Sequence, residues 1–205
     1  MKRFISFEGG EGSGKTTVIE RLSNELNQLG YNIVKTREPG GSKIAEQIRD
    51  VILAIDNTNM DFLTEAYLYA ASRRQHLVDI IIPALNEEKI VLCDRFIDSS
   101  LAYQGYAREL GIEKVYKINE FVTNGFLPDL TIYIDVDPSI GLKRIKSNNR
   151  KVDRLDMEAI TFHQKVRQGY LEVAKLYSNR IRIVDGNRDI EEIYNEIKNI
   201  VMAIL

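Results

Sequence analysis

The sequence alternates short apolar runs with longer segments of helical periodicity. Four runs rich in β-branched residues have the length and composition of buried parallel strands, and a fifth is similar: RFISF, NIVKT, KIVLC, LTIYIDV and IRIV. Between them, apolar residues recur at helical spacing, as in TTVIERLSNELNQLG, where Gly30 supplies the stop signal. This alternation predicts an α/β fold with a parallel sheet covered by helices on both faces.

Two further segments predict helices. DFLTEAYLYAASRRQHLVDIIIPAL predicts one long helix that begins near Asp61, and DIEEIYNEIKNIVMAI predicts another that follows the fifth strand. No repeat or linker divides the 205 residues, so we expect a single domain over residues 1–205. Ligands bind such sheets beyond the carboxyl ends of the strands, so polar residues that directly follow a strand are the functional candidates.

Composition limits which binding partners and which cellular compartment suit this chain. The formal net charge is −2, which gives no overall basic field to attract nucleic acid or a membrane. The longest apolar runs are too short to cross a bilayer, and MKRFISFEGG lacks the apolar core of a signal peptide. Cys93, the one cysteine, lies in an apolar run, where we expect a buried thiol. We therefore expect a cytoplasmic protein without a nucleic-acid or membrane partner.

Residues 9–16 read GGEGSGKT and match the phosphate-binding pattern G-x-x-x-x-G-K-T/S between a strand and a helix. Glycines let backbone N–H groups turn toward an anion, and the following helix adds the positive end of its dipole. Lys15 supplies a point charge for the outer phosphates, and the hydroxyl of Thr16 is available to Mg²⁺. The segment therefore predicts a P-loop.

Charged residues follow the neighbouring strands. Asp94 ends the third strand, where a P-loop protein carries a carboxylate for Mg²⁺. Arg37 and Arg95 directly follow the second and third strands, and their forked donors suit a second anion that faces the first. A P-loop alone does not separate kinases from GTPases or motor ATPases, but the N-K-x-D motif of GTPases is absent from this sequence.

Helical spacing suggests a pocket for a base. Tyr69 and Arg73 are four residues apart, so one can stack on a ring while the other donates to its edge. Ser100 and Gln104 have the same spacing, with Tyr103 beside them, and offer a hydroxyl and an amide. An aromatic residue at such a spacing is more commonly part of the core, so spacing alone leaves both interpretations open.

Several segments together, FEGGEGSGKTT, TREPGG, TEAYLYAASRRQH, CDRFIDSSLAYQG and PDLTIYIDV, resemble bacterial thymidylate kinases, which phosphorylate dTMP to dTDP with ATP. The resemblance covers nearly the whole chain, in order and with suitable spacing. It implies a P-loop nucleoside-monophosphate-kinase fold with strand order 2-3-1-4-5. It also implies Mg²⁺-dependent transfer of the γ-phosphoryl group of ATP to dTMP, a step of dTTP synthesis.

The resemblance implies roles for individual residues. It assigns ATP binding to Gly10, Glu11, Gly12, Ser13, Gly14, Lys15, Thr16 and Thr17. It assigns dTMP binding to Glu11, Arg37, Arg49, Tyr69, Arg73, Arg95, Ser100, Tyr103 and Gln104. It assigns Mg²⁺ binding to Thr16 and Asp94, and catalysis to Lys15, Arg95 and Arg150. In this assignment Glu11 meets the 3′-hydroxyl, Arg95 and Arg37 clamp the acceptor phosphate, and Tyr103 crowds the 2′ position and so favours deoxyribose.

The chain departs from the family pattern at two positions. Tyr69 stands where the family commonly has Phe, and Phe96 stands where it commonly has Tyr. Tyr69 keeps the stacking face, but Phe96 lacks a hydroxyl for any hydrogen bond made from that position.

The P-loop of this chain has no arginine, although some family members carry one there. The basic segment KRIKSNNRKVDRLD, residues 143–156, resembles the mobile lid of the bacterial subgroup. We therefore expect Arg150, or failing that its neighbour Arg154, to approach the transferring phosphoryl group.

Two other functions remain open from the sequence. A kinase of a deoxynucleoside needs a carboxylate base, for which Glu11 and Glu38 are the loop candidates. A regulatory P-loop switch would have no small-molecule acceptor. The resemblance also suggests a homodimer formed through the helix that contains LTEAYLYAAS, although a helix apolar on several faces is equally compatible with burial inside a monomer.

Overall fold

The computed structural model describes residues 3–147 and 154–205. In that part of the chain, five parallel strands form one sheet in the order β2-β3-β1-β4-β5, which confirms the expected topology. The strands lie at the five apolar runs identified in the sequence: β1 (Arg3–Glu8), β2 (Ile33–Arg37), β3 (Ile90–Asp94), β4 (Leu130–Asp135) and β5 (Ile181–Asp185).

Helices connect the strands and follow the last one. Their bounds are α1 (Lys15–Gln28), α2 (Lys43–Leu53), α3 (Phe62–His76), α4 (Ile82–Asn86), α5 (Ile97–Ser100), α6 (Ile112–Thr123), α7 (Pro138–Ser147), α8 (Ile160–Leu176) and α9 (Ile190–Met202). Two wider π-helical segments continue α3 into α4 and extend α5; they span Leu77–Ile81 and Leu101–Ala107. The predicted long helix is therefore present, with a π-helical segment within it.

Successive side chains of each strand point to opposite faces of the sheet, so the core has two parts, one on each face. Phe4 and Cys93 pack on one face with residues of α3, α6 and α8, whereas Ile5 and Leu92 pack on the other with residues of α1 and α9. Both faces are thus covered, as the unbroken apolar character of β3 indicates. Cys93 is buried, as expected from its place in an apolar run.

The strand registers bring the predicted chemistry to one edge of the sheet. Phe7 of β1 and Arg37 of β2 both lie opposite Asp94 of β3. The P-loop follows β1, and Arg95 follows β3, so these groups meet beyond the carboxyl ends of three adjacent strands. None of the helices in the described ranges is both long and apolar enough to cross a membrane.

Asp61 begins α3 as its N-cap. Its Oδ1 accepts hydrogen bonds from the backbone N–H groups of Leu63 and Thr64, at 3.0 and 2.9 Å. These donors have no partner within the helix, so the carboxylate satisfies groups that the first turn leaves free.

We predict that Asp61→Ala lowers the free energy of unfolding by about 1 kcal/mol, because the two N–H groups lose their acceptor. Asp61→Asn, which keeps an oxygen at the same position, is the matched control and should lose much less. Urea unfolding of the three proteins at one protein concentration measures the difference; equal losses in both variants would contradict the capping role.

Candidate active site

The P-loop wraps around the side chain of its own lysine. Lys15, the first residue of α1, donates from Nζ to the carbonyl oxygens of Gly9 and Gly10, each at 3.1 Å, and to Oγ of Ser13 at 3.2 Å. Burial, and next the charge of Arg95, lower the pKa of Lys15. An ammonium group held in this way is ready to exchange backbone carbonyls for phosphate oxygens.

Helix α7 touches the P-loop through two glycines. A Cβ atom on Gly12 would lie 2.1 Å from the carbonyl oxygen of Gly141, and one on Gly141 would lie 2.1 Å from the carbonyl oxygen of Glu11. Both distances are far shorter than any non-bonded contact between a Cβ and an oxygen atom, so the contact requires glycine on both sides. Gly141 was not among the residues predicted from the sequence, because a single helical glycine carries no signal of the surface that it meets.

Arg144 also links α7 to the P-loop. Its guanidinium donates weakly to the carbonyl oxygens of Gly12 and Gly186, at 3.4 and 3.5 Å. The basic segment predicted as a lid therefore begins, at its described end, against the phosphate-binding loop.

The two residues predicted for Mg²⁺ lie together. Oγ1 of Thr16 donates to Oδ2 of Asp94 at 3.0 Å, across the gap between α1 and the end of β3. Within the described residues there is no group of three acidic, histidine or cysteine side chains suited to a metal. A hydroxyl with one carboxylate nevertheless suits Mg²⁺, which takes most of its remaining ligands from phosphates and water at such sites.

Arg95 contacts the P-loop, and its backbone has an unusual conformation. Its φ is 70°, in the left-handed region, and its N–H donates to the carbonyl oxygen of Phe7 at 2.9 Å. One guanidinium nitrogen donates to Gly9 O at 2.9 Å and the other to Oε1 of Glu11 at 2.6 Å. A left-handed arginine costs on the order of 1 kcal/mol, which is consistent with a position set by function.

A buried carboxylate supports Arg95 from behind. Glu8 accepts from the N–H of Phe96 at 2.7 Å, Oγ of Ser99 at 2.5 Å and Oη of Tyr170 at 2.9 Å. Tyr170 in turn accepts from Nη1 of Arg95 at 3.0 Å. Burial, and next the charge of Asp98, raise the pKa of Glu8 to about 7.

These supporting residues were not among the sequence candidates. Glu8 carried a usable signal, because a carboxylate at the end of a buried strand needs a partner. Ser99 and Tyr170 carried none, since only the fold brings α8 against the start of α5.

A second pocket adjoins the P-loop and contains most of the predicted acceptor residues. It is lined by Glu11, Glu38, Pro39, Arg49, Leu53, Tyr69, Arg95, Ser99, Tyr103, Gln104 and Leu155. The cleft at the P-loop shares Glu11, Glu38, Arg49 and Arg95 with this pocket and adds Arg37. The two cavities therefore form neighbouring sites with arginines at their junction.

Two predicted base contacts lie behind the pocket wall. Arg73 is fully buried and donates to Glu38 at 2.7 Å, to Oγ of Ser100 at 3.0 Å and to the carbonyl oxygen of Phe96 at 2.9 Å. Neither Arg73 nor Ser100 lines the pocket. Their contact with a base stays a prediction.

Glu38 and Arg154 are both held in buried ion pairs. Glu38 binds Arg73 and also His76, whose Nδ1 lies 3.0 Å away. Arg154 donates from Nε to the carbonyl oxygen of Ile52 at 3.0 Å and pairs with Glu65. These bonds hold Arg154 away from the P-loop in this structure, and its approach to the phosphates on closure stays a prediction. Arg150 itself lies outside the described residues.

A P-loop on β1, a carboxylate ending β3 and strand order 2-3-1-4-5 define a P-loop kinase of the nucleoside-monophosphate type. The family model described as Thymidylate kinase matches residues 7–197. The chain belongs to the thymidylate kinase family.

Individual relatives agree with this assignment. The chain is 55% identical to a thymidylate kinase of Clostridium novyi (strain NT) over 196 residues, which cover 95% of this chain and 96% of that protein. It is 53% identical to a thymidylate kinase of Staphylococcus haemolyticus (strain JCSC1435) over the full length of both. The crystal structure of thymidylate kinase from Ehrlichia chaffeensis superposes with a TM-score of 0.78 at 34% identity, over 98% of each chain.

We predict that Gly141→Ala reduces kcat/KM for ATP by about 10²-fold, because the new methyl group must displace α7 or the P-loop. Ile140→Ala, a change at the partly exposed neighbouring position, is the control and should have little effect. Steady-state kinetics with varied ATP measure both. Wild-type kinetics in a folded Gly141→Ala protein would show that the close contact is not required.

We predict that stability falls with rising pH through Glu8. Its folded-state pKa of about 7 exceeds the ordinary glutamate value of 4.5, so between these pH values the folded state holds a proton that the unfolded state has lost. The free energy of unfolding should therefore decrease as pH rises from about 4.5 to 7. Glu8→Gln has no carboxyl group that titrates at this position, so its free energy of unfolding should not show this decrease. The difference between the variant and the wild type should therefore shift in favour of the variant as pH rises. Urea unfolding at pH 5, 6 and 7 measures it; parallel curves for the two proteins would contradict it.

Proposed function

We propose that the P-loop of this chain binds the phosphates of ATP, that the adjoining pocket binds dTMP, and that the γ-phosphoryl group passes directly between them to give dTDP and ADP. The thymidylate kinase reaction is the activity of the family. The observation that carries the site assignment is that both cavities share Glu11 and Arg95, so two bound phosphates would face each other at these residues.

The proposed chemistry depends on position and charge. The phosphate of dTMP is already an anionic nucleophile, so no protein base is needed. Lys15 would hold the outer phosphates of ATP, while Arg95 and Arg37 would hold the acceptor phosphate. Arg37 donates to Pro39 O at 2.8 Å and to Glu46 at 3.0 Å, and it lines the cleft at the P-loop.

Thr16 and Asp94 are the residues that would hold Mg²⁺, the hydroxyl directly and the carboxylate beside it. When bound, the ion would neutralise part of the charge on the outer phosphates of ATP. The remaining P-loop residues, Gly10 to Thr17, would contribute mainly backbone N–H groups.

Recognition of the sugar and base would fall to the inner pocket. Oη of Tyr103 donates to Oε1 of Glu11 at 3.3 Å, and burial raises the pKa of Tyr103, so its hydroxyl stays protonated. A neutral ring fixed in this way suits the proposed exclusion of a 2′-hydroxyl. Tyr69 lines the same pocket and would stack on thymine, and Arg49 would approach the acceptor phosphate.

The rival function, phosphorylation of a deoxynucleoside, is less favoured by the site. That reaction needs a free carboxylate base, but Glu38 is buried against Arg73 and His76. Glu11 is paired with Arg95 at 2.6 Å. Arg49 and Arg95, which line both cavities, and Arg37, which lines the P-loop cleft, instead suit an acceptor that carries a phosphate.

The lid remains part of the proposal. Residues 143–156 would close over ATP within the single domain, and Arg150 would bring positive charge to the transferring group. The packing of α7 against the P-loop supports this, because it places the start of the segment beside the phosphates.

We also propose a cytoplasmic homodimer. Large apolar side chains are exposed along α2, α3 and the segment between them: Ile44, Val51, Ile55, Phe62, Leu63 and Tyr67. A face of this kind suits a second copy of the chain.

We predict that ADP release from ATP and Mg²⁺ is rapid with dTMP and near background with thymidine or without an acceptor. A coupled assay with matched acceptor concentrations measures this. Lys15→Ala should lower turnover by about 10²-fold or more while the protein stays folded, because one preorganised charge contact is lost. Lys175→Ala, which removes an exposed lysine from the last turn of α8, is the matched control and should leave turnover unchanged. Release with thymidine, or release independent of an acceptor, would support one of the rival functions instead.

A further inference from the structure

Gln104 is the one amide side chain among the described residues that line the acceptor pocket. It lies in the π-helical segment that extends α5 and is 1% exposed. Its Nε2 donates to Oε1 of Glu65, on α3, at 2.8 Å. The orientation of this amide therefore decides whether the pocket wall offers a donor or an acceptor.

Glu65 allows only one orientation of that amide. Its carboxylate is fully buried and pairs with two guanidinium groups, Arg154 at Oε2 and Arg108 at Oε1, the latter at 3.5 Å. An ionised carboxylate has acceptors and no donor, so an amide oxygen turned toward it would be repelled. The amide nitrogen of Gln104 must therefore face Glu65, whatever the pocket contains.

The amide oxygen of Gln104 is left for the pocket. No hydrogen bond to this Oε1 is found within the ranges that the structure describes. A ligand that packs against this wall must then supply a donor, because a buried acceptor without a partner is costly. Thymine carries such a donor at N3, whereas cytosine has a lone pair at the same ring position.

We propose that Glu65 is a positioning residue that sets the choice of acceptor base, by turning the Gln104 amide oxygen toward a ring N–H and so rejecting cytosine nucleotides. This inference rests on the proposed function, since it takes the pocket to be the acceptor site. Glu65 acts through Gln104 and does not itself touch the substrate.

The cluster around Glu65 fits a role in orientation better than one in stability. Two carboxylates and two guanidinium groups, Glu65, Glu158, Arg108 and Arg154, balance in charge. Buried ion pairs of this kind are often no more stabilising than apolar residues of the same volume. Apolar residues in their place could not determine whether the oxygen or the nitrogen of the neighbouring amide faces the pocket.

Glu65→Gln tests the inference. The new amide can keep its oxygen on Arg154 and turn its nitrogen toward Gln104, which would then rotate and offer its own nitrogen to the pocket. The probes are dTMP and 5-methyl-dCMP, which differ only at N3 and the 4-substituent, with dUMP as a control for the methyl group. We expect the ratio of kcat/KM for dTMP to that for 5-methyl-dCMP to fall by about tenfold or more.

The direction of the change separates this role from a structural one. In Glu65→Gln, kcat/KM for 5-methyl-dCMP should rise while that for dTMP falls, and KM for ATP should stay unchanged. A general loss of structure would lower every value together. Glu158→Gln, which disturbs the same ion cluster through Arg108 without touching Gln104, should leave the base ratio unchanged.

Gln104→Leu provides the second variant, in case Glu65→Gln folds poorly. It should also lower the ratio, and adding Glu65→Gln to it should cause no further change if Glu65 acts through Gln104. An unchanged ratio in folded Glu65→Gln or in Gln104→Leu, with wild-type dTMP activity intact, would overturn this inference alone. Absence of dTMP phosphorylation by the wild type would instead overturn the proposed function.

Discussion

The arrangement of the site depends on the bond network of one guanidinium group. Arg95 joins the backbone of the P-loop, at Gly9, to the side chain of Glu11, and Tyr170 and Glu8 hold it from behind. Because these partners come from the loops and helices around β1, β3 and β4, the network needs the whole parallel sheet to be in register. If the proposed function holds, this network would keep the two phosphate sites at a fixed distance from each other, which direct phosphoryl transfer requires.

The interior beneath the pocket is unusually polar, and each charge there has a specific partner. Arg73 binds Glu38, which also binds His76, while Glu65 binds Arg108 and Arg154. Such pairs add little net stability, but a charge left without its partner would be strongly destabilising. These ion pairs therefore fix the positions of the side chains that lie behind the pocket lined by Tyr69, Tyr103 and Gln104.

Sequence patterns predicted the strands, the P-loop and the placement of Thr16 and Asp94 at one site, because each depends on local composition or on where a strand ends. The strand order came from the resemblance to thymidylate kinases. The sequence patterns did not predict that Arg73 would lie behind the pocket or that Arg154 would pair with Glu65. Helical spacing gives the face from which a side chain projects, but not which buried carboxylate competes for it. Gly141 and Tyr170 carried no local signal, since their roles arise from elements distant in the chain.

The backbone contact between the P-loop and α7 also limits how this enzyme can be redesigned. Position 12 accepts no side chain while Gly141 stays in place, since the carbonyl oxygen of Gly141 occupies the space that a Cβ atom would need. An arginine cannot be grafted onto that position of the loop by a single substitution. Positive charge for the donor phosphates must instead be supplied by residues elsewhere, or α7 must be rebuilt together with the loop. A side chain at either of two glycines 129 positions apart thus requires a backbone shift at the other.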